Sequence, residues 1–239
     1  MTNYKGFNPD LIVEVTSVCD RACVGCYAPN VIATGSPQEI YDSSPSLFLS
    51  PAALKHTLDQ IATISSTASM PSHISLRGGE PTRHPLLSEL IGLLSVESTS
   101  VYLETHGRWL LPQSVRAYKG LINSLIDNGT TVKLSFDSMH GLSKDDLKTI
   151  TDILSVNAVK FLIAITESND NTFELARSRC DWIPDSQIIV QPKATSASAL
   201  VKPKMGVIGV DGRLKTSLNS KSSFAVPPSA SEHERRIAL

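Results

Sequence analysis

The sequence lacks a long apolar run, a block of charge of one sign and a second group of cysteines. No apolar run approaches the ~18 residues that cross a bilayer, so no membrane span is expected. Net charge is −1 over 239 residues. That balance leaves no obvious surface for nonspecific nucleic-acid binding. The first residues, Met1-Thr2-Asn3-Tyr4-Lys5-Gly6-Phe7, contain no basic region followed by an apolar core, so no signal peptide is expected. Four cysteines, three of them adjacent, do not make a secreted disulfide framework. These absences point to a soluble, reduced, cytoplasmic protein.

What the chain does have is Cys19-Asp20-Arg21-Ala22-Cys23-Val24-Gly25-Cys26-Tyr27, a C-x3-C-x2-C triplet just after the apolar run Leu11-Ile12-Val13-Glu14-Val15. Three thiols at that spacing can point into one loop and hold three corners of a metal cluster. A closed zinc site or an ordinary iron–sulfur cluster takes four protein ligands. The triplet therefore predicts a [4Fe–4S] cluster with one iron open to a ligand that is not protein. The alternatives are zinc completed by a histidine, or buried free thiols. Cys180 stands far from the triplet and is expected to be a buried core thiol.

Apolar runs at 11–15, 73–76, 101–104, 131–136, 159–165 and 187–190 read as six strands. Helical patterns lie between them. Ser50-Pro51 is a helix start, with Leu54, Leu58 and Ile61 on one face. Further helices are predicted over 85–94, 114–127, 143–154 and 172–180. Residues 28–46, rich in Pro, Gly, Ser, Asn and Asp, read as a long loop. Strand–helix alternation with long connections predicts a parallel α/β sheet. Six units fall short of the eight that close a barrel, so a partial (β/α)6 TIM-like barrel with parallel strands is expected. Residues 1–200 would form that core, and 201–239 a C-terminal extension with a hairpin at Asp211-Gly212 and a mobile tail.

Ligands of such folds bind beyond the carboxyl ends of the strands. Here those ends carry the cysteines, Gly78-Gly79-Glu80, Glu104-Thr105-His106, Ser135 with Asp137, Thr166-Glu167 and Gln191-Pro192. One rim thus gathers most of the unusual residues.

The triplet, the aromatic Tyr27 after it and Gly78-Gly79-Glu80-Pro81 after the next strand resemble the radical S-adenosylmethionine (radical SAM) superfamily, from about Leu11 to Pro192. The resemblance implies that Cys19, Cys23 and Cys26 ligate three irons and that SAM chelates the fourth. It implies Tyr27 near the adenine, and the methionine amino group held at Gly78, Gly79 and Glu80. Ser135 and Asp137 fall where the family contacts ribose or carboxylate, and Ile165 and Val190 where adenine packs. Glu104 and His106 fall near the ribose or the substrate. The implied chemistry is one-electron cleavage of SAM to a 5′-deoxyadenosyl radical that abstracts hydrogen, with an electron donor such as flavodoxin or ferredoxin.

Individually, several of these residues have structural readings. Gly78-Gly79 alone would be a turn, His84 would order the loop entering a helix, and His106 could cap its strand. Trp109 and Trp182 are simplest as packing anchors. With one cysteine cluster and no room for a cobalamin domain, three subclasses remain. Val13-Glu14-Val15-Thr16-Ser17-Val18-Cys19 and Ser135-Phe136-Asp137 are most similar to the group that modifies peptides, proteins or small metabolites. Glu104-Thr105-His106-Gly107 resembles the Glu-Thr-Asn-Gly rim of 7-carboxy-7-deazaguanine synthases, with His106 in place of Asn. Glycyl-radical activases are similar in size, but their fourth strand ends differently. A noncatalytic iron–sulfur or zinc scaffold is the reading from another class.

Overall fold

Apolar runs form the strands, and the residues of each that lie in the core cluster mark the face that meets the helices. The structure, a computed structural model, describes residues 7–23, 26, 30–64, 71–97, 100–136, 140–167, 170–192, 203 and 205–215. Its strands are β1 (Leu11–Thr16), β2 (Val18–Cys19), β3 (Val31–Ile32), β4 (His73–Gly78), β5 (Ser100–Thr105), β6 (Thr131–Ser135), β7 (Phe161–Glu167), β8 (Ile188–Pro192), β9 (Gly206–Ile208) and β10 (Leu214–Lys215). The helices are α1 (Pro37–Ser43), α2 (Pro51–Ile64), α3 (Leu87–Glu97), α4 (Lys119–Asp127), α5 (Lys144–Val156) and α6 (Asp170–Ser178).

The main sheet has the order β10-β9-β1-β4-β5-β6-β7-β8, with every pairing parallel except β10 on β9. It is the α/β partial barrel expected from the sequence, opened by six consecutive parallel strands and extended at one edge. The extension is the hairpin at Asp211-Gly212, where Gly209 N–H donates to Arg213 O at 3.0 Å and Gly212 has φ 72°. β9 pairs with β1, so this part of the chain joins the main sheet. The tail from 216 onward lies outside the described residues.

Leu11, Val13 and Val15 of β1 point to the helices, as do Ile74, Leu76, Leu103, Val132, Leu134, Ile163 and Ile165. There they meet Leu54 and Leu58 of α2, Leu90 and Leu94 of α3, Leu125 of α4, and Ile150 and Leu154 of α5. At about 1.5–3 kcal/mol for each fully buried large aliphatic side chain, this layer is the main stabilising term.

The opposite face is polar, by the two-residue period of strands. Glu14 stands beside Arg77 in register, and Glu104 beside Lys133. Lys133 is 2% exposed, yet its Nζ lies 3.0 Å from Glu104 Oε1 and 4.5 Å above the Phe7 ring. Ser75 also donates to Glu104. Burial would raise the Glu104 carboxyl, but the Lys133 and Arg77 cations outweigh it and hold it below its ordinary value.

Two local readings are corrected. The stretch 28–46 is not a continuous loop, since it contains β3 and α1. Ser36 caps α1 through a capping box with Glu39, and Pro37 takes the first turn. Only Ile40 of α1 is buried, so the apolar period there is too faint to read. The helix predicted over 114–127 is split, with a 3-10 turn at Val115–Tyr118 before α4.

Candidate functional site

The cysteine loop is closed at its base. β2 and β3 pair in parallel, Cys19 opposite Ile32. Val31 N–H donates to Ser17 O at 2.8 Å, and Ala33 N–H to Cys19 O at 3.1 Å. Within the loop, Cys26 N–H donates to Cys23 O at 3.2 Å, and Asn30 Nδ2 donates to Cys26 Sγ at 3.3 Å. Cys19 is buried, Cys23 half-buried and Cys26 exposed, and all three are free thiols. Tyr27 lies outside the described residues.

The Gly-Gly-Glu segment is sewn to the same base. Gly79 N–H donates to Thr16 O and Glu80 N–H to Val18 O, each at 2.8 Å. A Cβ on Gly78 would stand 2.2 Å from Thr16 O, and one on Gly79 2.2 Å from Val18 O. Both glycines are thus required by the approach of the chain's own backbone entering the cysteine loop.

Glu80 is 1% exposed and turned inward. Its Oε1 accepts from Thr82 N at 3.2 Å, Thr82 Oγ1 at 2.8 Å and Thr105 Oγ1 at 2.7 Å. Its Oε2 accepts from His106 N at 3.1 Å, with His106 Nε2 at 3.3 Å. Thr105 Oγ1 in turn accepts from Trp109 Nε1 at 3.1 Å. The carboxylate therefore ties the end of β4 to the end of β5.

His106 carries the tie onward to the cysteines. Its Nε2 lies 2.9 Å from Asp20 Oδ1, on the residue after Cys19. Its Nδ1 accepts from Arg108 N at 3.1 Å, which places the neutral ring's proton on Nε2. Burial would lower the ring's pKa, but Glu80 and Asp20 together hold it above the ordinary value. A second proton would have to displace the Arg108 bond, so the neutral Nε2–H ring is the form this geometry holds. The bond from His106 in turn holds the Asp20 carboxyl below its usual range, against burial.

The other predicted positions divide by face. Glu104 is on the polar face, engaged by Lys133 and Ser75. Ser135 is half-buried at the end of β6, in register with Ala164. Ile165 is fully buried in the helix-side core, and Val190, in register with it on β8, is half-buried. Asp137 lies outside the described residues. Sequence reasoning missed Asp20 and Lys133. A charge between two cysteines, and a lysine inside the apolar run 131–136, were the signals available. Cys180 is buried beneath α6, its Sγ 3.5 Å from Ala176 O.

The donor set fits an iron–sulfur cluster. It is sulfur only, on one loop, with no disulfide competing. Burial pushes the Cys19 thiol up to about 11, with Glu80, Asp20 and Cys23 adding to the rise and a backbone hydrogen bond at Arg21 opposing it. Such a thiol becomes a ligand when a metal's positive charge replaces its proton. Among the described residues, no three His, Cys, Asp or Glu side chains converge on a single metal ion. In a cluster each thiolate binds its own iron, so the thiols need not converge on one point.

No family model and no curated protein matches the sequence. Solved structures do match the fold. Streptococcus suis SuiB bound to its precursor peptide SuiA superposes with a TM-score of 0.56 at 16% identity, over 85% of this chain and 44% of that one. SuiB bound to S-adenosylmethionine gives 0.52 at 15% identity, over 83% and 44%. Native anSMEcpe with bound S-adenosylmethionine gives 0.51 at 16% identity, over 76% and 50%. This chain thus spans about half the length of the structures it matches, and shares their α/β fold. No helix among the described residues is long and apolar enough to cross a membrane.

Proposed function

We propose that this chain is a radical SAM enzyme, with Cys19, Cys23 and Cys26 holding a [4Fe–4S] cluster whose open iron takes SAM. The observation that supports this most is the stitching of Gly78-Gly79-Glu80 to the base of the cysteine loop through Thr16 and Val18. It brings the two motifs of the resemblance to one rim. The fold shared with structures that hold S-adenosylmethionine points the same way. When bound, the cluster supplies the electron that splits SAM into methionine and a 5′-deoxyadenosyl radical, which takes hydrogen from the substrate.

The chain's own residues do the rest. Gly78 and Gly79 offer backbone carbonyls to the methionine ammonium, beside the negative charge of Glu80. The Glu80 carboxylate is already engaged by Thr82, Thr105 and His106, so its first task is to fix the rim. Ser135 is assigned to the ribose, and Val190 with the backbone of Ile165 to the adenine; the resemblance adds Asp137 and Tyr27, which lie outside the described residues. His106 orients the cysteine loop through Asp20. Glu104 keeps its place at the substrate side with its charge balanced by Lys133. The electron donor is a flavodoxin or ferredoxin, and the setting is the reducing cytoplasm.

For the substrate, a peptide or protein is the reading best supported, because the SuiB structure of matching fold holds a precursor peptide. The commitment of Glu104 to Lys133 and Ser75 weighs against a nucleoside-binding rim of the deazaguanine type.

Anaerobic reconstitution tests the proposal. Loading of about four irons per chain and release of 5′-deoxyadenosine from SAM after dithionite reduction are expected. A Cys23→Ala variant should lose both. Retention of that activity in the variant overturns the site, and zinc without iron in the anaerobically purified protein favours the scaffold reading.

A further inference from the structure

We propose that Arg21 and Arg108 form a carboxylate-binding clamp at the mouth of the barrel. One arm is on the cysteine loop and the other on the loop after β5. The inference rests on the radical SAM reading and deepens it. Its ligand is a carboxylate, either that of SAM's methionine part or an acidic group of the substrate.

The two guanidinium groups meet at Gly141. A Cβ there would stand 3.7 Å from Arg21 Nη2 and 3.9 Å from Arg108 Nη2. Arg108 Nη2 donates to Gly141 O at 2.7 Å. Nε of both arginines is buried and without a hydrogen-bond partner. Some other cations are paired with carboxylates, Lys133 with Glu104 and Arg177 with Asp185. The carboxylates nearest the clamp in the network, Asp20 and Glu80, are engaged by His106. Among the described residues no carboxylate forms an ion pair with either guanidinium; two adjacent cations so placed are electrostatically unfavourable, and their planar forks match a carboxylate. Gly141 has no side chain to fill the space between them.

His106 sets the clamp's spacing. Its Nδ1 holds the backbone of Arg108, and its Nε2 holds Asp20, the residue before Arg21. The pair is therefore anchored on both arms by one ring rather than left to two independent surface loops.

The test uses the anaerobically reconstituted full chain. Arg21 and Arg108 are labelled with phenylglyoxal and quantified by peptide mass spectrometry. Labelling is compared without ligand, with SAM, with decarboxylated SAM, and with N-acetyl-glutamate amide added to the SAM-bound protein. Affinities for SAM and decarboxylated SAM are measured in wild type, Arg21→Gln, Arg108→Gln and Arg108→Lys, with iron content as the control for folding.

If SAM's carboxylate is the ligand, SAM protects both arginines and decarboxylated SAM does not. Each Gln variant then weakens SAM about tenfold and leaves decarboxylated SAM unchanged. If the substrate supplies the carboxylate, the glutamate derivative protects and SAM affinity is the same in every variant. Labelling unaffected by any of these carboxylates, with SAM affinity unchanged in the Gln variants, overturns the clamp. In a wild type that loads iron and binds SAM, that result leaves the radical SAM reading standing. A wild type that loads no iron or binds no SAM defeats the reading itself.

Discussion

His84 and His106 are buried alike, 3% and 6% exposed, and each lies beyond the end of a strand, His84 after β4 and His106 directly after β5. Each accepts at Nδ1 from the backbone N–H two residues on, Leu86 at 3.0 Å and Arg108 at 3.1 Å. The difference lies at Nε2. His84 donates to the Leu49 carbonyl at 2.8 Å, and burial drives its pKa down to about 4. His106 faces Asp20 and Glu80, and its pKa moves up despite burial. One local motif thus serves two ends. Before α3 it makes a neutral packing residue, while beside the cysteines it makes a junction between two loops. Histidine burial alone says nothing of function; the partner at the far nitrogen decides it.

The largest effect should come from removing what sets His106 apart. Glu80→Ala leaves the buried donors of Thr82, Thr105 and His106 without an acceptor, and should cost about 3–5 kcal/mol in urea unfolding. A loss under about 1 kcal/mol would mean that the junction is not held by this carboxylate.

Next is the pH dependence of His84. Its ring is neutral when folded and takes a proton near 6.5 when unfolded. The folded pKa is depressed, so this stability is fully present above about 6.5 and is lost as pH falls toward about 4. The loss across that window is about 3 kcal/mol, and denaturant melts of His84→Gln should be flatter across it. An equally steep fall in His84→Gln would contradict the assignment.

Gly79→Ala should act locally at the junction. The added methyl would meet Val18 O, so the cysteine loop must shift and iron loading in reconstitution should fall several-fold. Gly92→Ala, at a helical position with open space around it, should leave iron loading unchanged. The smallest effect is Trp109→Phe. It removes one hydrogen bond to Thr105 behind Glu80 and should cost about 1 kcal/mol in the same melts.

Much of the fold was legible because the strands are written as short apolar runs, such as Leu11 to Val15, set between helical patterns. Their burial against helices needs no knowledge of distant partners. The Asp-Gly hairpin was legible from its turn residues alone. α1 was not, because its helical signal is a cap, Ser36 with Glu39, followed by only one buried apolar residue. The cysteine triplet could be found from its spacing, and Gly-Gly-Glu from its place at a strand end and the resemblance. Their physical connection could not, because it runs through backbone bonds of Thr16 and Val18 and through Asp20 and His106, pairs far apart in sequence. Glu104 read as a rim residue near the ribose or the substrate. Its partner Lys133 is adjacent only once β5 and β6 pair in register.

The most direct test of the central claim is the electron paramagnetic resonance spectrum of the dithionite-reduced, anaerobically reconstituted chain, recorded with and without SAM. A cluster held by Cys19, Cys23 and Cys26 alone keeps an iron free, so SAM should change the g values of a reduced [4Fe–4S] signal. A cluster signal that SAM leaves unchanged, or no cluster signal from a fully folded protein, would contradict it.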